Sequence, residues 1–399
     1  MTLRTRSSQV GYPTRRSADA PRPSRLGRSA IVGFVALAVL CAWSRPACAQ
    51  KEEPKKEQAQ KEQAQQEQVQ QEEAQQEEPN RPGTQPVGVV RLTRDVRQSI
   101  NRGLEYLAKD RVQNKDGSWG GNTNPVAETS LSLMAFMLQG HIPGRGIYGR
   151  KMANGIVYLI NKGQTQRGFL GSPQNHAGMY EHGLAILALS EAWGQSKNPR
   201  IRNTLRRAVD ITLRAQNPAG GWRYNPEPRD ADLSMTVMQL VALNSAKESG
   251  ISVPDKTMQR ATKYVLSCQD QTSGGFRYMP GNSEPGFART AAGVMSLIMC
   301  GQGRHKATQR GLAFLKAYPD KKFEKNYPRF HYSHYYAIQA MYQSGDANFQ
   351  AWYPRISATI LSKQAKDGSW RGQHGQAYGT SLSILIIGVP YRYLPIYQR

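Results

Sequence analysis

From about residue 90 onward the chain alternates between two kinds of helical segment. One kind is amphipathic and charged, as in Arg102-Gly103-Leu104-Glu105-Tyr106-Leu107. The other is rich in Ala, Ser, Leu and Met and carries little net charge: Glu128–Gln139, Tyr180–Trp193, Asp232–Ser245, Ala288–Cys300, Tyr332–Gln343 and Tyr378–Gly388. An apolar stripe at helical spacing marks a helix with one wet face, and a helix apolar all round is buried. Six such pairs predict two layers, with the charged helices outside and the small-residue helices inside. An open solenoid needs polar end caps, yet the last helix, Leu382–Val389, is apolar almost throughout. The pattern therefore predicts closure into an all-α (α/α)6 toroid of about twelve antiparallel helices.

The outer segments share an ending. Gln113 is followed by Asp116-Gly117-Ser118-Trp119, Gln164 by Gly168-Phe169, and Gln216 by Gly220-Gly221-Trp222. Gln269 is followed by Gly274-Gly275-Phe276 and Gln364 by Asp367-Gly368-Ser369-Trp370, whereas the unit around Arg310–Leu315 has lost this end. The reading is structural. Gly ends the outer helix in a left-handed turn, the aromatic ring (Trp222, for example) covers the next helix, and Gln bonds free backbone groups there.

Residues 1–89 have a different composition. An Arg-rich stretch precedes the apolar run Ile31–Trp43, and Ala47-Cys48-Ala49 offers a small-residue cleavage site. That order is expected of a signal peptide over 1–49, exported and cleaved near Ala49. The apolar run is shorter than the ~20 residues that span a bilayer. Residues 50–89 are mostly Gln, Glu, Lys and Ala up to Glu78, too poor in apolar groups to bury anything, and read as a solvated spacer. The toroid is then expected over 90–399, with no transmembrane helix in the mature chain.

The whole chain has 53 Lys and Arg against 29 Asp and Glu, a net charge of +24. The leader holds eight Arg and one Asp, and residues 50–80 hold four Lys and nine Glu, which leaves 41 basic and 19 acidic residues, a balance of +22, in 81–399. The folded part is basic on its own account. Export argues against nucleic acid as its partner and for an anionic component of the cell envelope. Cys268 and Cys300, expected at opposite ends of consecutive antiparallel helices, predict two free buried thiols. No cysteine zinc site, other metal or cofactor is expected.

The Gln/Gly-aromatic ends are QW-type motifs, and over about 90–399 the chain resembles the prenyltransferase/squalene cyclase superfamily, specifically bacterial squalene–hopene cyclase-like repeat proteins. Gly220-Gly221-Trp222 precedes Asp230-Ala231-Asp232-Leu233-Ser234. In the cyclases the corresponding stretch is D-x-D-D-T, and its middle Asp protonates an alkene. The resemblance puts the first Asp on Asp230, the proton donor on Asp232, and Leu233 where the third carboxylate would be. Such an acid needs neighbours that hold its proton and then stabilise its anion. The competing reading is that Asp230 and Asp232 cap the third inner helix. The triterpene cyclases have two toroids with the substrate between them, and this chain has length for one.

If the inner helices all start at one end, their N-termini ring one mouth. The residues expected there are Glu128, Glu181 with His182, Asp230 with Asp232, Arg289, His331 with His334, and Tyr378; the loops add Tyr224, Arg277, Tyr278 and Tyr327. Six N-termini favour anions. The pattern leaves three functions open. An isoprenoid or other lipid-like ligand would be bound, or acted on with Asp232 as the acid, in the manner of a terpene cyclase or mutase. A non-catalytic toroid would bind an anionic envelope polymer or a partner protein. A carbohydrate-active (α/α)6 enzyme would use a carboxylate pair, for which Glu128, Glu181 and Asp232 are the candidates.

Overall fold

The computed structural model describes residues 92–121, 123–172, 178–281, 283–318 and 329–391. The expected leader and spacer lie outside the described residues, as does Tyr327.

Among the described residues there are twelve α-helices, and β-structure is limited to isolated bridges such as Trp222 with Asp232. The outer helices are α1 (Arg94–Ala108), α3 (Gly149–Thr165), α5 (Pro199–Arg214), α7 (Asp255–Ser267), α9 (Lys306–Lys316) and α11 (Asp346–Leu361). The inner helices are α2 (Pro125–Leu138), α4 (Gly178–Ser196), α6 (Leu233–Glu248), α8 (Phe287–Leu297), α10 (Phe330–Gln343) and α12 (Gln376–Ile387). Each inner helix packs on the inner helix before and after it, and α12 packs on α2. The fold is an (α/α)6 toroid.

The two layers follow from their sequences. In α1 the buried residues Val96, Ile100, Leu104 and Leu107 fall at three- and four-residue intervals, so one face is apolar. The inner helices are buried on nearly every side, as α2 is from Thr129 to Leu138. Their hydroxyls remain satisfied because they donate one turn back: Ser130 to Val126 O at 2.7 Å, Ser190 to Ile186 O at 2.8 Å. Helix starts are marked locally. Thr93 accepts from Val96 N, Asn198 from Arg200 N, and Pro125 and Pro199 begin α2 and α5.

The repeated motif ties consecutive hairpins together. Gln113 Nε2 donates to Gly117 O in its own turn and to Lys151 O on α3, both at 2.9 Å. Gln216 and Gln269 repeat this with Thr257 O and Ala307 O, and Gln364 with Ser99 O on α1, which closes the ring. The indole Nε1 of Trp119, Trp222 and Trp370 donates to Leu107 O, Thr212 O and Ile360 O at 2.7–2.8 Å. The Trp119 and Trp370 rings then lie against a glycine of the next outer helix; a Cβ on Gly155 would come within 2.6 Å of the Trp119 ring, and one on Gly103 within 2.8 Å of the Trp370 ring. One detail differs from expectation. The positive-φ glycines (Gly117, Gly220, Gly274, Gly368) do not end the outer helices but turn the chain several residues later. They sit so close to the next outer helix that a side chain would meet its backbone, as Gly220 would meet Arg260 O. Cys268 and Cys300 are both free. Cys268 is buried, with its thiol pushed up to about 12 by burial, while Cys300 is only partly buried, in a π-turn (Ile298–Gln302) that ends α8.

Candidate functional site

A hydrogen bond fixes the register of the inner helices at the mouth. The backbone N–H of Trp119, Trp222, Phe276 and Trp370 donates to Thr129, Thr236, Thr290 and Thr380 Oγ1, at 2.9–3.1 Å. In the second hairpin Leu170 N donates to His182 Nδ1 at 3.0 Å instead. In the fifth, Ser333 has the same place, donating one turn back to Arg329 O as Thr129 does to Pro125 O. The residues just before these anchors are therefore equivalent. On four of the six helices they are Glu128, Glu181, Arg289 and Tyr332, and all four line one cavity of about 300 Å³ at the mouth.

Aromatic residues build much of the wall: Tyr180, Tyr224, Tyr278, Tyr378 and His374 join Tyr332. The Tyr180 and Tyr332 rings lie 6.2 Å apart, and the Tyr224 and Tyr278 hydroxyls share a 2.5 Å hydrogen bond. Below this layer the barrel is filled. Tyr336, Met238, Gln239 and Phe136 are all buried on the inner helices.

Glu128 and Glu181 are 3% and 1% exposed. Burial raises Glu128 to about 7, against the pull of the Gly121 and Tyr378 backbone N–H groups, which favour the anion. Its carboxyl occupies the space where a Cβ of Gly120 would be. Burial also raises Glu181, opposed chiefly by Ser172, whose N–H donates to Oε2 at 2.8 Å. Glu181 Oε1 has no hydrogen-bond partner among the described residues.

Asp232 lies elsewhere. It is the N-cap of α6, with Oδ1 accepting from Met235 N at 2.9 Å and Oδ2 3.2 Å from Arg223 Nη1. It is fully buried and does not line the cavity. Burial raises its pKa, opposed by Met235 N, Arg223 and Tyr278. Asp230, half-exposed, meets the other side of Arg223 at 3.4 Å.

The remaining expected residues divide. Glu128, Glu181, Tyr224, Arg289 and Tyr378 line the cavity together. His182, Trp222, Arg277, His331 and His334 do not. His182 is held between Leu170 N and Ala208 O and stacks on Phe169; burial lowers it to about 4. Arg277 donates to Asp270 Oδ1 at 2.5 Å. His331 Nε2 lies 3.1 Å from Ser383 Oγ, and His334 sits between the Phe287 and Phe330 rings. Among the described residues no group of three His, Cys, Asp or Glu could hold a metal. No described helix is long and apolar enough to cross a membrane. Tyr180, Ser234, Arg329 and His374 also line the cavity, although the sequence did not single them out as site residues. Aligning the hairpins on the Thr129-type anchor would have found Tyr180 and Ser234, which precede their anchors by two residues.

Comparison with known proteins finds this fold in proteins of several activities. A family model for the prenyltransferase alpha-alpha toroid domain matches residues 255–317. No curated protein matches. Solved structures with a similar fold include an inactive variant of an α-1,6-mannanase of Salegentibacter sp. in complex with α-1,6-mannotriose; it is 8% identical, with TM-score 0.58 over 75% of this chain and 99% of that one. A cellobiose 2-epimerase of Bacillus thermoamylovorans is 12% identical, with TM-score 0.53 over 73% and 98%. A type II terpene cyclase from Scytonema in complex with geranylgeranyl dihydroxybenzoate is 15% identical, with TM-score 0.51 over 76% and 98%. What these chains share with one another and with this one is an all-α toroid of the kind used by both glycosidases and terpene cyclases.

Proposed function

We propose that this protein is a carbohydrate-active enzyme that cleaves a glycosidic bond at the mouth of the toroid. One observation carries the reading: two buried carboxyl groups, Glu128 and Glu181, face the same tyrosine-walled cavity. Glycoside hydrolysis needs one carboxylic acid to protonate the leaving oxygen and a second carboxylate on the other side of the bond. Glu128, raised to about 7, keeps a protonated fraction up to neutral pH that an ordinary carboxyl would not, and is the general acid. Glu181, whose Oε2 accepts the Ser172 N–H, is the partner carboxylate. The anomeric C–O bond breaks, the Glu128 proton goes to the departing oxygen, and water supplies the new C–O bond, its proton returning to carboxylate. Tyrosine faces such as Tyr180 and Tyr332 offer flat surfaces for sugar rings. The mannanase and epimerase among the similar structures act on or bind sugars, which agrees with this reading.

One feature supports it over an isoprenoid cyclase. Asp232, the acid that a squalene cyclase-like reaction would use, is engaged as a helix cap behind the wall. We place the enzyme outside the cytoplasm on the strength of the N-terminal leader. The test is hydrolysis of a panel of oligosaccharides by the purified protein and by Glu128→Gln and Glu181→Gln. Activity that both substitutions abolish supports the reading. Activity on a polyprenyl substrate that Asp232→Asn abolishes, with no turnover of sugars, would overturn it.

A further inference from the structure

Two arginines face the cavity, and both stand where a helix disfavours them. Arg289 is in the first turn of α8, and Arg329 is the N-cap residue of α10. The N-terminus of a helix carries partial positive charge, so a cation there is destabilising. Neither guanidinium has a carboxylate within 4 Å among the described residues, unlike Arg223 and Arg277, which are paired with aspartates. Arg289 makes one backbone contact, donating to Glu284 O at 2.7 Å. Arg329 is near enough to push the Arg289 pKa down, adding to the effect of burial. Two like charges therefore stand at two positive helix ends on the wall of one cavity, Arg289 half-buried and Arg329 exposed.

We propose that Arg289 and Arg329 form a subsite for the carboxylate of an acidic sugar, so that the glycan cleaved or bound here contains uronic acid residues. This rests on the sugar reading above and specifies its substrate. A guanidinium presents paired N–H groups that match the two oxygens of a carboxylate. The carboxylate would neutralise the repulsion between the two cations and complete both helix ends. Glu128, mostly protonated below pH 7, adds little opposing charge, which leaves Glu181 as the one carboxylate among the cavity's glutamates to set against two arginines. The balance of +22 over residues 81–399 would also draw a polyanionic chain toward the protein.

The test is equilibrium binding at low ionic strength of matched trisaccharides: mannuronate against mannose, galacturonate against galactose, glucuronate against glucose. The full chain is compared with an Arg289→Gln/Arg329→Gln double variant. At least one uronate is expected to bind about tenfold or more tighter than its neutral match. The double variant should lose that preference while melting at the same or a higher temperature, since a repulsive pair has been removed. Equal affinity for every matched pair would overturn the inference and leave the sugar reading standing. No binding of any trisaccharide would overturn both. Inorganic sulfate competing as well as free glucuronate would also overturn it, since the site would then be a general anion site.

Discussion

Glu128→Gln should stabilise the protein at alkaline pH while abolishing its activity. In the unfolded chain Glu128 ionises near 4.5, and in the folded chain near 7. Between these values the folded state holds a proton that the unfolded state has released, so stability falls as pH rises through this window. At about 1.4 kcal/mol per pH unit, the interval between 4.5 and about 7 amounts to about 3 kcal/mol, fully developed above pH 7. Gln has the same shape and no charge, so the variant does not carry this cost. The wild-type curve alone would hide the effect. His182, lowered from 6.5 to about 4 by burial, gives stability that is present above pH 6.5 and is lost as pH falls toward 4. The two slopes are opposite and overlap. The measurement is therefore the difference between wild type and Glu128→Gln in urea melts from pH 4 to 8.5. The variant should match wild type near pH 4 and exceed it by about 3 kcal/mol at pH 8, worth about 5 °C in melting temperature for a folded chain of about 300 residues. A difference that does not change with pH, or a variant less stable at pH 8, would refute the assignment of a buried, proton-holding carboxyl.

Four further outcomes can be checked. Trp222→Ala should cost about 3–5 kcal/mol, because it empties a fully buried site and leaves Thr212 O without its donor; chemical denaturation measures it. Gly155→Val should destabilise by about 1–3 kcal/mol or more, since the Trp119 ring leaves no room; a variant within 0.5 kcal/mol of wild type would contradict the packing. Asp232→Asn keeps a cap acceptor for Met235 N and should leave sugar turnover within a few-fold of wild type, while Asp232→Ala should lose about 1 kcal/mol from the cap alone. Loss of turnover in a folded Asp232→Asn would transfer the acid role from Glu128 to Asp232. Replacing His182 by Thr, the residue at the same register in four other hairpins, should flatten the loss of stability between pH 6.5 and 4.

Much of the toroid was legible because its energetic logic repeats. The inner helices are recognisable from runs such as Ser130–Leu138, where Ser130 donates one turn back, Ser132 meets Ser381 on α12 and the rest is apolar. Gln113, Gln216, Gln269 and Gln364 recur because each closes its own turn and holds the next hairpin. The mouth was harder. Glu128 and Glu181 are equivalent by register, and sequence picked out both. Tyr180 and Ser234 are equally exposed to the cavity but look like ordinary core residues in a linear reading. Arg277 and Arg289 both look like free cations in sequence; only the structure gives Arg277 an aspartate and leaves Arg289 without one. Asp232 illustrates the sharper limit. An Asp at a helix start serves equally well as a cap or as an acid, and the choice depends on whether its carboxyl turns to its own backbone or to the cavity. Here it turns to Met235 N.

The bond from Gln364 to Ser99 joins residues 265 positions apart. A ring sealed by its first and last hairpins cannot acquire stability one repeat at a time, as an open array does. Until α11 and α12 are made, α1 and α2 have no partner on one side. Folding must therefore wait for the end of the chain, and the late, long-range closure carries a high entropic cost in the transition state. The same seal acts in reverse. No terminal repeat is free to fray, so unfolding has no cheap first step. For a protein that we propose works outside the cytoplasm, such a barrier would give a long working life even if the equilibrium margin were small.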